Sequence, residues 1–467
     1  MKTILDFKPI LFFLIVLSFT SCEELVQIDT PNYQITSEVV FSDIETARSA
    51  VQGIYNELFN TAFSNGGTNS VTVISGLSAD ELKSLRPTDR SYMDFYENEI
   101  QTTNTRNLNL WSSAYKIIYM SNSLLDGISN STGIEAVSLA ELKGEAKFTR
   151  AFSYFYLVNL YGEVPLILTK DYRENALADS NTKQEIYEQI INDLQEAVEL
   201  LPQSYRNQDR INVNQSVAKA LLARVQLYLK NWEEAELLST QVISQTDTYE
   251  ILEDLDQVFL ANSREAIWQI SPAGRGGSLT QTKEGAAFIF HPFISSLTHV
   301  ALTDDLVNSF DLEDQRQSKW IGFHSRSENY HAFKYKDRNS SDNLTEYSMV
   351  IRLSEMYLIR AEARLMQSNL PGAIADLDVI KARAGLPIIS EFRPNMDGEE
   401  LMDEVIEERR KELFTEWGHR WLDLKRTERS DAVLAPIKPD WEATDRLYPI
   451  PAEERMKNPN LNQNPGY

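Results

Sequence analysis

Cysteine is almost absent from this sequence, which has one, Cys22, in 467 residues. A single thiol closes no internal disulfide, so packing must hold the fold, and the position of that thiol becomes informative. Histidine is scarce as well: five residues, at 291, 299, 324, 331 and 419, with no HExxH-like spacing, so neither a transition-metal site nor a cofactor motif is read. Positive charge is in the minority, with Lys+Arg at 45 against Asp+Glu at 69 and a formal net charge of −24. Such a surface repels phosphate backbones and gains nothing from counterion release, which excludes nucleic acid as a partner class. Long hydrophobic runs are missing too. The apolar stretch Ile10 to Phe19 would make a helix only about 15 Å long, against a hydrocarbon core of roughly 30 Å.

What is present fits a large globular body. Hydrophobic residues make up 42% and charged residues 24%, and a chain of this length implies two to three domains or one repeat-built unit. Lys2 and Lys8, the short apolar run, and the small residues Thr20 and Ser21 are the parts of a secretory signal peptide over 1–21. Cys22 follows at once, and Phe19-Thr20-Ser21-Cys22 resembles the lipobox of bacterial lipoproteins, whose cysteine is acylated and becomes the mature N-terminus. Glu23 and Glu24 resemble the acidic tag of surface-directed lipoproteins of the Bacteroidetes type. Acyl chains contribute about 0.8 kcal/mol per buried methylene, enough to anchor a chain that has no membrane-spanning helix. Residues 22–40 then read as an extended leader without helical period, followed by a body over 41–467.

Helical patterns dominate that body. Phe41, Ile44, Ala47, Val51, Ile54, Tyr55 and Leu58 recur at three- and four-residue spacing, with Ser42 or Asp43 available as N-cap. The same reading covers 106–128, 136–161, 183–201, 214–246, 349–385 and 399–427, whereas Val71–Ile74 and Ala266–Ile270 read as short strands. Ser216–Ile243 also repeats in Ser354–Lys381 at a fixed offset of 138 residues, with identities at Ser216/Ser354, Ala223/Ala361, Leu227/Leu365, Asn231/Asn369 and Ala235/Ala373. Helix, short turn, helix with small residues at the contact is the logic of stacked tetratricopeptide units. Two segments differ: 61–96 and 262–348 are rich in Gly, Ser, Thr and aromatic residues, with little periodicity, and long loops of that kind carry function.

Four ordered motifs resemble the SusD/RagB family of outer-membrane lipoproteins. They are Arg150-Ala-Phe through Tyr161-Gly162-Glu163-Val164-Pro165, then Arg352-Leu-Ser-Glu355-Met-Tyr357 through Ala363, then Glu408-Arg409 through Glu416-Trp-Gly418-His419-Arg420-Trp-Leu-Asp423-Leu, and the tail Tyr448-Pro-Ile-Pro451 through Gln463-Asn464-Pro465-Gly466-Tyr467. The last two motifs lie in a C-terminal family segment, 399–467. The resemblance implies a mostly α, SusD-like fold: four tetratricopeptide-like helix pairs, within 41–60, 106–161, 183–246 and 349–385, support an irregular loop-rich binding region with few short strands. It further implies capture of a glycan or another nutrient, without catalysis or cofactor, and delivery to a SusC-like TonB-dependent transporter in the outer membrane. The alternatives are a peptide or other nutrient ligand and, with less support, a polymer-degrading enzyme.

Only the cluster Glu412, Glu416 and Asp423 motivates the enzyme reading, since paired carboxylates are what glycoside hydrolysis needs. Arg409, Arg410, Arg420 and Arg426 stand among them, so an ion-pair network is expected instead. The acids Asp304, Asp305, Asp311, Glu313 and Asp314 lack an EF-hand pattern and read as a solvated acidic surface rather than a metal site. Sugar recognition asks for flat rings bordered by groups that pair with hydroxyls. Asp80, Arg86, Tyr92 and Tyr96 supply both in the first loop segment, and Phe290, His291, Trp320 and Tyr330 in the second, with Trp320 the leading contact because its ring is the largest. The N-terminal reading is directly testable: Cys22→Ala is expected to abolish radiolabelled palmitate incorporation and release the protein from the membrane fraction, and retained label would refute it.

Overall fold

The computed structural model describes residues 40–129, 131–275, 279–341 and 344–467. The expected signal peptide, Cys22 and all but the last residue of the leader lie outside the described residues. Helix α1 (Ile44–Asn60) starts where Asp43 accepts the backbone N–H groups of Glu45 and Thr46, and it buries Ala47, Val51, Ile54, Tyr55 and Leu58 on one face. The expected strand at Val71–Ile74 is instead the start of helix α2 (Val71–Ser78), capped by Ser70. All eight of its residues are buried, so the run has no polar face to give it a helical period in the sequence. Strand β1 (Leu82–Ser84) and helix α3 (Arg90–Glu97) follow, so 61–96 is more ordered than its composition implies.

The body of the fold is an array of helices: α4 (Thr105–Ser129), α5 (Ala136–Tyr161), α6 (Lys183–Leu200), α7 (Gln215–Tyr228) and α8 (Trp232–Ile243). Strands β2 (Ala266–Ile270), β3 (Val300–Leu302), β4 (Ile321–His324), β5 (Asn329–Ala332) and β6 (Ser348–Arg352) interrupt it. The array resumes with α9 (Leu353–Met366) and α10 (Leu370–Arg383), and the chain continues through α11 (Gly398–Leu413) and α12 (His419–Arg426). The helix expected from 349 thus begins four residues later, after β6, and the one expected over 399–427 is two helices. The break falls at Gly418, whose φ of 70° favours glycine and where an added Cβ would come within 2.7 Å of Ser75.

Each array helix packs on the next, α4 on α5, α5 on α6, α6 on α7 and α7 on α8; α8 then packs on α9 and α9 on α10, although about a hundred residues of loop and strand separate α8 from α9. The 138-residue repeat is a repeat of structure. The ends of α7 and α9, and the starts of α8 and α10, coincide at that offset. The turn residues Lys230 and Ser368 adopt φ of 61° and 63°. Asn231 donates its N–H to the Gln226 carbonyl at 2.9 Å, and Asn369 to the equivalent Arg364 carbonyl at 2.9 Å. Buried ion pairs join the layers. Arg150 pairs bidentately with Asp193 between α5 and α6, and Arg224 with Glu355, at 2.6 and 2.7 Å, between α7 and α9.

The strands form three two-stranded antiparallel pairs, β1 with β3, β2 with β6, and β4 with β5. The first brings the two irregular segments of the chain side by side, and the third is a hairpin within the second of them. No helix among the described residues is long and apolar enough to cross a membrane. Ala223 is fully buried on α7, so Ala223→Leu is expected to overpack the seam and destabilise the protein by about 1–3 kcal/mol. Denaturant unfolding measures this, and an unchanged midpoint would remove Ala223 from a close helix contact.

Candidate functional site

The two irregular segments meet through the β1–β3 ladder, in which Leu82 faces Leu302, Lys83 faces Ala301 and Ser84 faces Val300. Leu85 N–H donates to the His299 carbonyl at 2.8 Å, and Thr303 Oγ1 donates to the Asp80 carbonyl at 2.7 Å, extending the seam at both ends. Beside it the β4–β5 hairpin pairs Phe323 with Tyr330 and Gly322 with His331. Gly322 is needed there, because a Cβ would lie 2.5 Å from the His331 ring. The sequence-predicted residues of 80–96 and 288–330 are therefore brought to one region of the molecule, but they do not all face solvent.

Trp320, the leading contact in the sequence reading, has no exposed surface. Its indole N–H donates to the Leu255 carbonyl at 3.1 Å and its ring packs edge-on against Phe259. A ring enclosed on both faces offers no stacking surface, and Trp320 is a core residue. Tyr92 is likewise buried, its hydroxyl 2.9 Å from His299 Nδ1 and its ring covered by the Arg106 guanidinium at 3.5 Å. Phe290 is buried in a stack with His324, the ring centres 4.7 Å apart. Among the acids read as a solvated surface, Asp314 is buried and forks onto Arg316.

What does face solvent is a set of rings on the hairpin and the loop before β3. Phe293 is 75% exposed and Phe323 54% exposed. Tyr330 is half-buried with its ring centre 4.9 Å from that of Phe323, as cross-strand partners on one face should be. His291 is half-buried, its Nδ1 accepts the N–H groups of Phe293 and Ile294, and its ring lies 6.2 Å from that of Phe293. Arg326, exposed in the hairpin turn, donates to the Phe293 carbonyl at 3.1 Å and holds the two elements together; Arg86 does the same for the Ser296 carbonyl. Phe293 and Phe323 are the residues that site selection from sequence missed. The alternation that sets Phe323 opposite Tyr330 was the available signal.

On the α3 side of the β1–β3 ladder lies a cavity of about 480 Å³ lined by Asp80, Tyr96, Arg410, Arg420 and Lys438, with Val433 and Ile437 as apolar wall. Asp80 accepts both guanidinium N–H groups of Arg420 at 2.8 Å, and burial is outweighed by Arg420 and Arg410, which hold its pKa below the usual carboxylate value. Lys438 donates to the carbonyls of Leu77 and Ser78 and to Asn98 Oδ1, and burial lowers its pKa to about 7. Tyr96, 36% exposed, stands at the edge. Apolar wall and convergent polar groups are the makings of a ligand cavity.

The acid cluster of the third motif is committed elsewhere. Glu412 is fully buried between Arg316, Arg352 and Arg383, which overcome burial and keep it well below the usual carboxylate pKa. Glu416 binds Arg352 and Lys334, and Asp423 binds Arg409 and Arg426. Burial pushes His419 down to about 4. Each carboxylate is thus ionised, paired and enclosed, an arrangement suited to holding segments together. Among the described residues no group of His, Cys, Asp and Glu is placed to hold a metal ion.

Comparison with known proteins agrees with this architecture. A family model described as "Starch-binding associating with outer membrane" matches residues 66–227. SusD-like protein P2 of Formosa agariphila is 25% identical, over 98% of this chain and 99% of its own length. A SusD superfamily structure from Bacteroides vulgatus superposes with a TM-score of 0.78 at 20% identity, covering 91% of this chain and all of its own. A structure described as a laminarin-binding SusD-like protein superposes with a TM-score of 0.77 at 23% identity, over 91% of this chain and 99% of its own.

One acid beside the site is not paired. Glu81 is buried, accepts only the Thr415 N–H through Oε2, and has no partner for Oε1; burial and the neighbouring Asp80 push it up to about 8. A carboxyl whose pKa is raised from 4.5 to about 8 on folding releases its proton on unfolding between those values, so stability declines as pH rises through that window. Glu81→Gln is expected to flatten the decline, melting above the wild type near pH 8 and converging with it toward about pH 5. Equal pH dependence of the two melting curves would mean that Glu81 is ionised in the folded protein.

Proposed function

We propose that the chain is a SusD/RagB-family protein, a surface-exposed lipoprotein that binds an oligo- or polysaccharide and delivers it to a partner TonB-dependent outer-membrane transporter. The observation that carries the ligand class is the exposed ring set Phe293, Phe323 and Tyr330, rimmed by His291, Arg86 and Arg326. Exposed rings rimmed by hydrogen-bonding groups match the C–H faces and hydroxyls of a sugar. Soluble surfaces rarely gather large apolar groups without a binding purpose. The Asp80–Arg410–Arg420 cavity with Tyr96 at its edge is a second contact region for the same ligand, on the other side of the ladder. The family description names starch and the outer membrane, and a structural neighbour is described as binding laminarin, so both α- and β-linked glucans belong in the first panel of ligands.

The anchor in this reading is the acylated Cys22, with 1–21 removed as signal peptide, 22–40 as tether and 41–467 as the binding body. The commitment of Glu412, Glu416 and Asp423 to guanidinium groups supports binding without turnover. Titration calorimetry against starch and laminarin oligosaccharides, with a peptide arm, is the test. Phe323→Ala is expected to weaken glycan binding by about tenfold or more, with an unchanged melting temperature because the ring is 54% exposed. Product release from the glycan, binding only to the peptide arm, or unchanged affinity in Phe323→Ala would each overturn part of this reading: respectively its non-catalytic character, its ligand class and its site.

A further inference from the structure

A second cavity, of about 500 Å³, shares no residue with the first and lies where α5, α7 and α12 end and α6 begins. Its wall carries Lys183, Lys425, Arg426 and Arg446 and no carboxylate, in a chain whose formal charge is −24. Two of these cations are already neutralised. Arg426 forks onto Glu362 and also binds Asp423, and Arg446 binds Asp431. The other two are not: no ion pair is made by Lys183 or Lys425 among the described residues. Lys425 donates to the backbone carbonyl of Asn159, which occupies one of its three N–H donors.

Hydroxyl and guanidinium donors at the same wall are also unspent. Tyr228 Oη, Thr444 Oγ1 and Arg446 Nε are buried without a hydrogen-bond partner. Capping of the α5 carbonyl terminus by Lys425, a favourable place for a cation, accounts for one donor. It leaves Lys183, Tyr228 and Thr444 unexplained. A partly buried wall rich in donors and poor in acceptors is complementary to an oxyanion, because every oxygen of such a group accepts.

We propose that this cavity binds an oxyanion, a carboxylate, sulfate or phosphate group, with Lys425 as its principal contact and Tyr228 and Thr444 as hydroxyl donors. Burial, then Lys183 and Arg446, hold the Lys425 ammonium well below its ordinary pKa. Glu362, Asp423 and Asp431 are already bound to Arg426 and Arg446. An arriving anion would supply the missing counter-charge.

Calorimetric titration of the full chain with inorganic sulfate, inorganic phosphate and glucuronate, with glucose as the uncharged control, tests this. At least one anion is expected to bind with a millimolar or tighter dissociation constant. Glucose is expected to give no heat of binding at this cavity. Glucuronate alone would identify an acidic sugar substituent as the occupant, and the inorganic anions would identify a free ion. Lys425→Met is expected to lose about tenfold or more in affinity. Tyr228→Phe, which removes only a hydroxyl, gives the same direction if Lys425→Met proves poorly folded. Failure of all three anions to bind the wild type, or unchanged affinity in both variants, would overturn the proposal. Because the cavity is separate from the ring surface, that failure would leave the glycan reading standing.

Discussion

The structure turns on Arg352. Its guanidinium, fully buried at the end of β6, forks onto Glu416 at 2.8 and 2.9 Å, bonds Glu265 at 3.0 Å beside β2, and reaches both the side chain and the backbone of Glu412 at the end of α11. Glu412 in turn holds Arg316 and Arg383, and Arg316 holds Asp314 and Glu408. Five segments far apart in sequence thus converge on one buried ion-pair cluster. Taking such charges out of water costs several kcal/mol per ion, so the cluster is stable only while every member is paired, and deleting one partner typically costs about 3–5 kcal/mol. The price of this arrangement is intolerance, and what it secures is a defined junction between the repeat array and the irregular half.

From that junction the division of labour follows. The helices of the array spend their faces on one another, with small residues such as Ala223, Ala235, Ala361 and Ala373 at no exposure along the seam. Strand pairs β1–β3 and β4–β5 are then carried on a rigid support, and the rings of the hairpin project from it without having to build a core of their own. A binding surface on short strands braced by a buried ion cluster keeps its geometry without disulfides, which a chain with one cysteine cannot form. Elsewhere the same chain buries ionisable groups that make no ion pair among the described residues, Lys425 and Glu81, and burial shifts both toward the neutral form.

Much of this was legible from the residues. The span 136–161, the span 183–201 to within one residue, an N-cap at Ser42 or Asp43 and the 138-residue offset repeat follow from local periodicity and capping chemistry, which a reading of sequence captures well. The ion-pair character of Glu412, Glu416 and Asp423 followed from the arginines interleaved with them. Two errors share one cause. Val71–Ile74 is helix and not strand, and Trp320 is core and not contact, because both are enclosed on every side by segments distant in the chain.

The sequence by itself therefore determined the array helices, the repeat and the resemblance to SusD-like proteins, since each depends on interactions within a few turns or on a long ordered motif. Only the tertiary structure decided which aromatics of the irregular half meet solvent. Phe323 and Trp320 stand three residues apart in similar surroundings of sequence, yet one is half in water and the other in none. The difference arises from the Leu255 carbonyl, the Phe259 ring and the Lys334 ammonium that arrive over Trp320 from elsewhere in the fold, while β5 covers only one side of Phe323. Burial in a loop is a property of what packs against it, and no local pattern records that.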